Sequence, residues 1–141
     1  MDPIMTLSSA ADPEAQKIIS DGLNAFNDAQ VGYADRLPLN VLISDPNSGD
    51  VVGGIIGSTS LGLLFIHLVY LPEALRGRDV GTRMLALAEE EAQRRGCRAG
   101  VLYTINFQAP GFYQRFGWRI FGEIPRDPPG TSRIFLTKDF R

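Results

Sequence analysis

LRGRDVGT, at residues 75–82, lies between an apolar stretch typical of a buried strand, residues 63–71, and an amphipathic stretch typical of a helix, residues 80–95. A helix N-terminus leaves backbone N–H groups without partners and carries the positive end of the helix dipole, so it stabilises a bound phosphate. Gly81 lets a ligand approach the backbone closely, and Arg76, Arg78 and Arg83 add positive charge. The stretch therefore predicts a strand–turn–helix unit that binds a phosphate-bearing ligand.

Two common nucleotide-binding loops do not match this turn. A Walker loop needs a Lys followed by Ser or Thr after its last glycine, whereas Gly81 is followed by Thr82 and Arg83. A Rossmann fingerprint needs three glycines spaced G-x-G-x-x-G in the first strand-to-helix turn, and that spacing is absent here. The phosphate ligand is therefore not expected to bind in either of these two ways.

The turn resembles motif A of the GCN5-related N-acetyltransferase (GNAT) family, R/Q-x-x-G-x-G/A. The match places Arg76 and Gly81 at the motif positions, with Asp79 in place of the first glycine. Further along, residues 106–118 read NFQAPGFYQRFGW and resemble the second signature of the family, A-x-x-x-Y-x-x-x-G-F/W. Together with residues 121–123 and 128–130, this run is similar to the small bacterial Hpa2-like group of the family.

The resemblance implies the GNAT fold over residues 1–141 as one domain. This is an α/β fold of the α+β type, in which a mostly antiparallel mixed sheet has one parallel, splayed strand pair and helices on both faces. The spacing of strands at 63–71 and 99–106 around one helix also predicts a parallel pair with a right-handed crossover. Other patterns predict the following elements: a short strand at 4–7, a helix beginning at residues 12–14, irregular chain at 27–37, a hairpin of strands 41–44 and 51–58, a short helix from Pro110, and strands at 118–124 and 133–138.

The resemblance implies acetyl-CoA as the cofactor, with its pyrophosphate on the turn and its pantetheine arm against the preceding strand. The residues that this assigns to the cofactor are Leu68, Val69, Tyr70, Arg76, Gly77, Arg78, Asp79, Val80, Gly81 and Thr82. Asn106 ends the second strand of the pair, where family members often hydrogen-bond the cofactor arm, although a turn residue at a strand end is an equal alternative. Asp79 is also placed to cap the helix, with its carboxylate accepting from the N–H of Gly81 or Thr82.

Tyr113 is the candidate general acid, because its position four residues before Gly117 matches the tyrosine that the family aims at the cofactor sulfur. The alternative is a core aromatic residue. The backbone amide around residues 69–70 is the expected oxyanion donor. His67 is the only histidine, and imidazole takes up a proton near neutral pH. If it faces the cleft it is a base or holds a water, and if it faces a helix it is an interior histidine; ordered water serves as base in many family members.

The acceptor site is expected between residues 27–37 and 125–131, which flank the mouth opposite the cofactor in this fold. Asn27, Tyr33 and Asp127 are the candidate acceptor residues, and Asp28 and Asp35 are further carboxylates that could face an ammonium group. Loop carboxylates are more commonly just solvated.

The bulk composition agrees with this interpretation. A chain of 141 residues that is 44% hydrophobic can bury one core, and the net charge of −2 disfavours a nucleic-acid partner. The single Cys97 excludes an intrachain disulfide, and no targeting or membrane-spanning segment is apparent, so a cytoplasmic protein is expected. No metal site is predicted, and a homodimer is possible.

The sequence thus predicts an acetyl-CoA-dependent N-acetyltransferase that acts on a primary amine of a small molecule, by direct transfer in a ternary complex. A GNAT-fold module that binds or senses an acyl-CoA without turnover is the alternative, since an aspartate replaces the motif A glycine. A nucleic-acid-directed transferase is disfavoured by the isoelectric point near 5.3.

Overall fold

The computed structural model describes all residues, Met1–Arg141, and divides the chain into two compact units. The N-terminal unit is Met1–Ala34 and the C-terminal unit is Asp35–Arg141. Each unit is described by itself.

The N-terminal unit is built on one helix, α1 (Pro13–Val31). Asp12 caps its first turn by accepting a hydrogen bond from the Ala15 N–H at 3.0 Å, as the sequence predicted, and Gly32 ends it at a φ of 87°. The predicted strand at residues 4–7 is wrong, because this segment has no regular structure and no strand pairs with it. The irregular region predicted from residue 27 is also wrong up to Val31, because α1 continues to that residue. Gly22 lies inside this helix, but one internal glycine costs only about 1 kcal/mol and does not end it.

The C-terminal unit holds a six-stranded mixed sheet in the order β1-β2-β3-β4-β6-β5. Only β3 and β4 are parallel, so the predicted mixed sheet with one parallel pair is confirmed. The elements are β1 (Leu37–Ser44), β2 (Val51–Ser60), β3 (Leu63–Tyr70), α2 (Val80–Arg94), β4 (Ala99–Ile105), α3 (Pro110–Gln114), β5 (Arg119–Arg126) and β6 (Thr131–Asp139). No helix of the chain is both long enough and apolar enough to cross a membrane.

One face of this sheet carries the hydrophobic core. Leu64, Ile66, Leu102 and Leu136 point from the strands into the same cluster as Ala88 on α2. Gly100 has no side chain because a Cβ there would lie 2.6 Å from the Trp118 ring. The core cluster also contains Tyr113, so α2 and α3 cover the same face of the sheet.

Cys97 belongs to this core as a packing residue. Its side chain is buried, and that burial raises the pKa of its thiol. The thiol therefore stays protonated at neutral pH.

The parallel strands separate before they end. Their pairing runs from Leu63 opposite Ala99 to Ile66 opposite Leu102, yet β3 continues to Tyr70 and β4 to Ile105. On its other side, β3 pairs with β2, and this pairing has a β-bulge between Ile56 and Gly57, opposite the point where the β3–β4 pairing stops. A β-bulge bends the strand locally. The splay therefore begins at residue 67, and it opens a gap between the two strands at the end that leads to α2.

Candidate functional site

A cleft of about 870 Å³ occupies the gap between β3 and β4. Its floor and walls come from the second half of β3, the turn before α2, the end of β4 and α3. The sequence places these four segments up to 46 positions apart, between His67 and Tyr113, and the parallel βαβ connection brings them together. The cleft contains His67, Leu68, Val69, Tyr70, Arg76, Gly77, Asp79, Gly81, Thr82 and Tyr113 from the predicted site.

The turn before α2 places most, but not all, of its predicted residues on the cleft. Arg78 and Val80 are outside the cleft lining, and Val80 packs against the core. Arg76 is fixed by a hydrogen bond from its Nε to the Leu71 carbonyl at 2.9 Å. Gly77 adopts a φ of 75° with open space around its Cα, as a tight turn needs.

Gly81 lies in the first turn of α2 and is constrained by packing. A Cβ at this position would come within 3.3 Å of the Phe112 ring on α3. The missing side chain therefore lets α3 pack close to the start of α2. Glycine at this position thus has a packing role in addition to the predicted role of letting a ligand approach the backbone.

Asp79 is the N-cap residue of α2, but its carboxylate makes no capping hydrogen bond. The prediction that it accepts from Gly81 or Thr82 is wrong. The reason is its backbone, which has a φ of 61° in the left-handed region, whereas a capping side chain requires an extended residue. Asp79 thus adopts a conformation that favours glycine, the residue found in the family motif, and Asp tolerates it better than most residues.

The second half of β3 presents free backbone groups to the gap. Leu68 and Val69 pair with β2 on one side, and pairing with β4 on the other side has stopped at Ile66. A strand edge without a neighbour offers a row of N–H and C=O groups to an extended ligand. The predicted pantetheine segment, Leu68 to Tyr70, therefore has the open edge that this role requires.

Tyr113 lies on α3 between the cleft and the core. Its ring is buried against Phe112, at a centroid distance of 5.2 Å, and against Trp118, at 6.4 Å. This burial raises the pKa of the phenol, because the phenolate form is poorly solvated there. The residue thus combines a packed ring with a place in the cleft lining, and its hydroxyl stays protonated well above neutral pH.

His67 lines the cleft from the sheet face opposite the buried Ile66. Its Nε2 is 3.0 Å from the Ser58 Oγ, and its ring is parallel to that of Phe65 with centroids 6.0 Å apart. Ser58 was not found from the sequence, because it lies on β2 outside both motifs. The contact fixes the orientation of the imidazole while leaving the ring exposed to solvent.

Asn106 follows β4 and uses its amide to hold another loop. Its Nδ2 donates to the Gly130 carbonyl at 2.8 Å and its Oδ1 accepts from the Ser132 N–H at 3.0 Å. This is the strand-end turn role that the sequence left open as the alternative. Contact of Asn106 with a cofactor stays a prediction.

The candidate acceptor residues belong to different units of the chain. Asn27 and Tyr33 belong to the N-terminal unit, and Asp127 is exposed at the β5–β6 turn, outside the cleft lining. Asp35 accepts from the Leu61 N–H at 3.1 Å and so stabilises the β2–β3 turn. The charged residues in the cleft that sequence reasoning missed are Arg115 and Arg133.

Comparisons with known proteins agree on one family. The family model "Acetyltransferase (GNAT) family" matches residues 7–118. The chain is 42% identical over 135 residues to Acetyltransferase Atu2258 of Agrobacterium fabrum, which covers 95% of this chain and 97% of the relative. It is 34% identical over 121 residues to Blasticidin-S acetyltransferase of Streptomyces morookaense, covering 85% and 89% of the two chains. A crystal structure from Agrobacterium tumefaciens superposes with a TM-score of 0.89 at 38% identity, over 98% of this chain and all of the other.

Proposed function

The chain belongs to the GNAT acetyltransferase family, and on that basis we propose that it moves an acetyl group from acetyl-CoA to a primary amine of a small molecule, directly within a ternary complex. The observation that carries the proposal is the gap between β3 and β4, which has an open strand edge on one side, a helix N-terminus at one end and Tyr113 in its wall. Membership of the small bacterial Hpa2-like group is part of this proposal.

The residues of the cleft fit acetyl-CoA. The first-turn amides of α2, which the Asp79 side chain does not use, would hold the pyrophosphate together with Arg76. The open edge of β3 at Leu68 to Tyr70 would pair with the pantetheine arm. Bound there, acetyl-CoA supplies the acetyl group and a sulfur leaving group.

The protein supplies proton transfer and charge stabilisation. The Tyr113 hydroxyl holds the proton that the departing sulfur needs, and its raised pKa keeps that proton in place at neutral pH. The backbone N–H around residues 69–70 donates to the oxygen that becomes negative during transfer. His67, held by Ser58, accepts the proton that the amine loses. These groups lie on two elements that border the gap, β3 and α3.

A small-molecule acceptor is favoured by the name of one relative. One relative is named for the acetylation of a small compound, blasticidin S. Asn27, Tyr33 and Asp127 remain the proposed acceptor residues, and a cytoplasmic homodimer remains part of the proposal. The net charge of −2 does not repel a cationic amine.

The test is thiol release from acetyl-CoA over a panel of small amines. Release that requires both an amine and Tyr113 supports the transferase, whereas tight CoA binding without release on any amine supports the acyl-CoA-binding module. Amine-independent release at the same rate would show only hydrolysis and would contradict direct transfer.

We expect His67→Ala to lower kcat/KM about tenfold or more and to move the acidic limb of its pH profile. The reason is that the imidazole accepts the proton that the amine loses, so removing the imidazole removes the group whose protonation would limit the rate in acid. Steady-state rates between pH 5 and 9 measure the effect. Ser58→Ala is the matched control: it removes the hydrogen-bond partner of the ring but leaves the base, so the limb should remain with a smaller loss of rate. A limb unchanged in His67→Ala would assign the base to ordered water.

Replacing Asp79 by glycine or by asparagine is expected to tighten CoA binding by about threefold to tenfold, because either change removes a negative charge beside the pyrophosphate site. Isothermal titration at low and high salt measures it, and the gain should shrink in high salt. Asparagine removes the charge and still tolerates a positive φ, so comparing it with glycine separates the effect of the charge from the effect of backbone freedom. Tightening by glycine alone would assign the effect to the backbone, and no tightening by either would show that the carboxylate lies away from the phosphates.

A further inference from the structure

Arg133 is a charged residue of the cleft to which the proposed mechanism gives no role. It belongs to β6, directly opposite Ile105 at the end of β4, and it lines the cleft. Its neighbour in sequence, Ile134, is buried in the core that α2 covers. Because side chains alternate along a strand, Arg133 turns to the other face of the sheet. The guanidinium therefore stands on the side of the sheet that α2 does not cover.

The guanidinium of Arg133 has no partner within the protein. Its side chain is exposed and makes no hydrogen bond, ion pair or ring contact with another residue. Of the two other arginines in the cleft lining, Arg76 donates to the Leu71 carbonyl at 2.9 Å. The other, Arg115, lies over the Phe112 ring at 5.7 Å from its centroid. Arg133 is therefore the cleft arginine whose donors are all free for a ligand.

The part of the C-terminal unit around Arg133 supplies no negative charge to it. Among the residues that line the cleft, Asp79 is the only carboxylate, and it belongs to the turn before α2. On β5, Glu123 stands opposite the buried Ile134 and so turns to the face that α2 covers. Asp127, in the β5–β6 turn, lies outside the cleft lining and makes no ion pair with Arg133. An anionic group of a ligand is therefore attracted to this part of the cleft.

The phosphates of CoA do not account for this free positive charge. They lie at the end of the molecule remote from its sulfur, and the proposed pyrophosphate site is the turn between β3 and α2. Arg133 lies two strands away from β3, because the strand order is β3-β4-β6, and this corresponds to about 10 Å at the usual strand spacing. It also faces the side of the sheet that α2 does not cover. A negative group beside Arg133 therefore belongs to the other substrate, the acceptor.

His67 and Tyr103 connect Arg133 to the proposed reaction centre. Both line the cleft, and each follows a buried residue of the last β3–β4 pair, Ile66 or Leu102. They therefore turn to the same side of the sheet as Arg133. Tyr103 is 56% exposed and lies on β4, between the strands of His67 and Arg133. Its ring gives an apolar surface between the proposed base and the guanidinium, on which the carbon chain of an acceptor can lie.

We propose that Arg133 is a specificity-determining residue that selects acceptors carrying a carboxylate or phosphate group besides the primary amine. The planar guanidinium can donate two parallel hydrogen bonds to either group. The inference rests on the proposed acetyl transfer, and it narrows the acceptor class from amines in general to amines with an anionic group. With the anion held by Arg133 and the carbon chain over Tyr103, the amine is directed toward His67.

Thiol release with matched acceptor pairs tests this selectivity. The panel holds the common α-amino acids and the ω-amino acids from glycine to ε-aminohexanoate, each beside its carboxamide, and phosphoethanolamine beside ethanolamine. Wild-type protein should give a kcat/KM at least about tenfold higher for the anionic member of its best pair. The carboxylate and phosphate pairs show which of the two anions is preferred.

Substitutions of Arg133 should change the ratio of the two rates within a pair. Arg133→Gln should lower the preference for the anionic member at least about tenfold, because the charge and the paired donors are lost. Arg133→Lys keeps the charge and should retain part of the preference, and Arg133→Glu should favour a diamine of the same length. The intrinsic reactivity of each amine is the same with every variant, so the change in ratio reports the side chain alone.

Arg119→Gln is the matched control. Arg119 is an exposed arginine on the same side of the sheet, opposite Thr137, and it lies outside the cleft lining. Its loss should leave the preference within about twofold of the wild-type value. Titration of CoA is the second readout: Arg133→Gln should bind CoA within about twofold of wild type, because exposed charges more than about 10 Å apart are largely screened.

Three outcomes would contradict the inference, and one of them also reaches the proposed function. Neutral amines that react with wild-type protein at least as fast as their anionic partners would overturn the selectivity while leaving the transferase intact. An unchanged preference in Arg133→Gln, together with CoA binding weakened about tenfold, would assign the guanidinium to the cofactor instead. No release with any amine of either kind would overturn the selectivity and the proposed acetyl transfer together.

Discussion

Replacing Tyr113 by phenylalanine is expected to lower kcat by about a hundredfold or more while leaving the affinity for CoA within about twofold. The phenyl ring keeps the packing against Phe112 and Trp118, so α3 should stay in place. What is lost is the proton that the departing sulfur takes up, and this loss is felt only in the transition state. Single-turnover rates with a good acceptor, alongside titration of CoA, separate the two effects.

The pH dependence adds a second readout. Burial raises the pKa of Tyr113 above the ordinary tyrosine pKa of about 10, so the wild-type hydroxyl should remain protonated up to about pH 10. Below that pH, the rate should not fall through loss of this proton. Phe116→Leu is a suitable control, because it alters the same aromatic group without touching a proton donor. An unchanged kcat in Tyr113→Phe would remove the hydroxyl from the mechanism and leave Tyr113 as a core residue.

The parts of the fold that were predictable depend on contacts between near neighbours in the sequence. The hairpin turn at residues 45–50 and the cap at Asp12 each form from residues a few positions apart, and both appear as predicted. The βαβ pair was also predictable, since one helix between two strands permits little else. The strand at residues 4–7 failed because a short apolar stretch alone does not supply a pairing partner.

The site was predictable where the motifs cover it and hidden elsewhere. The motifs led to the turn before α2 and to Tyr113, both of which line the cleft. The hydrogen bond of Ser58 to His67 depends on strand register across a bulge, which no local pattern reveals. The left-handed backbone of Asp79 was missed for a different reason: the residue type suggested a cap, while the turn imposed the conformation of the glycine it replaces.

Glu89 is a further feature that the sequence did not reveal, since it reads as one of three consecutive glutamates at residues 89–91 on an exposed helix. Its side chain is instead buried: Oε2 accepts a hydrogen bond from the Trp118 Nε1 at 3.0 Å, and Oε1 is 2.6 Å from the Lys138 Nζ. A buried carboxylate is tolerated because both of its oxygens have partners. Trp118 in turn contacts the ring of Tyr113, so this interaction supports the position of α3.

We expect Glu89→Ala to lower the free energy of unfolding by about 3 kcal/mol, because it leaves the buried Trp118 N–H without its acceptor and the partly buried Lys138 ammonium without its counter-charge. Urea unfolding followed by Trp118 fluorescence measures the change. Glu90→Ala is the matched control: it is a neighbouring, exposed glutamate on the same helix and should change stability by less than about 0.5 kcal/mol. Glu89→Gln retains an acceptor for Trp118 but loses the charge beside Lys138, so its cost should fall between the two. A loss in Glu89→Ala no larger than in Glu90→Ala would show that the contacts of Glu89 do not stabilise the core, and that α3 is held by aromatic packing alone.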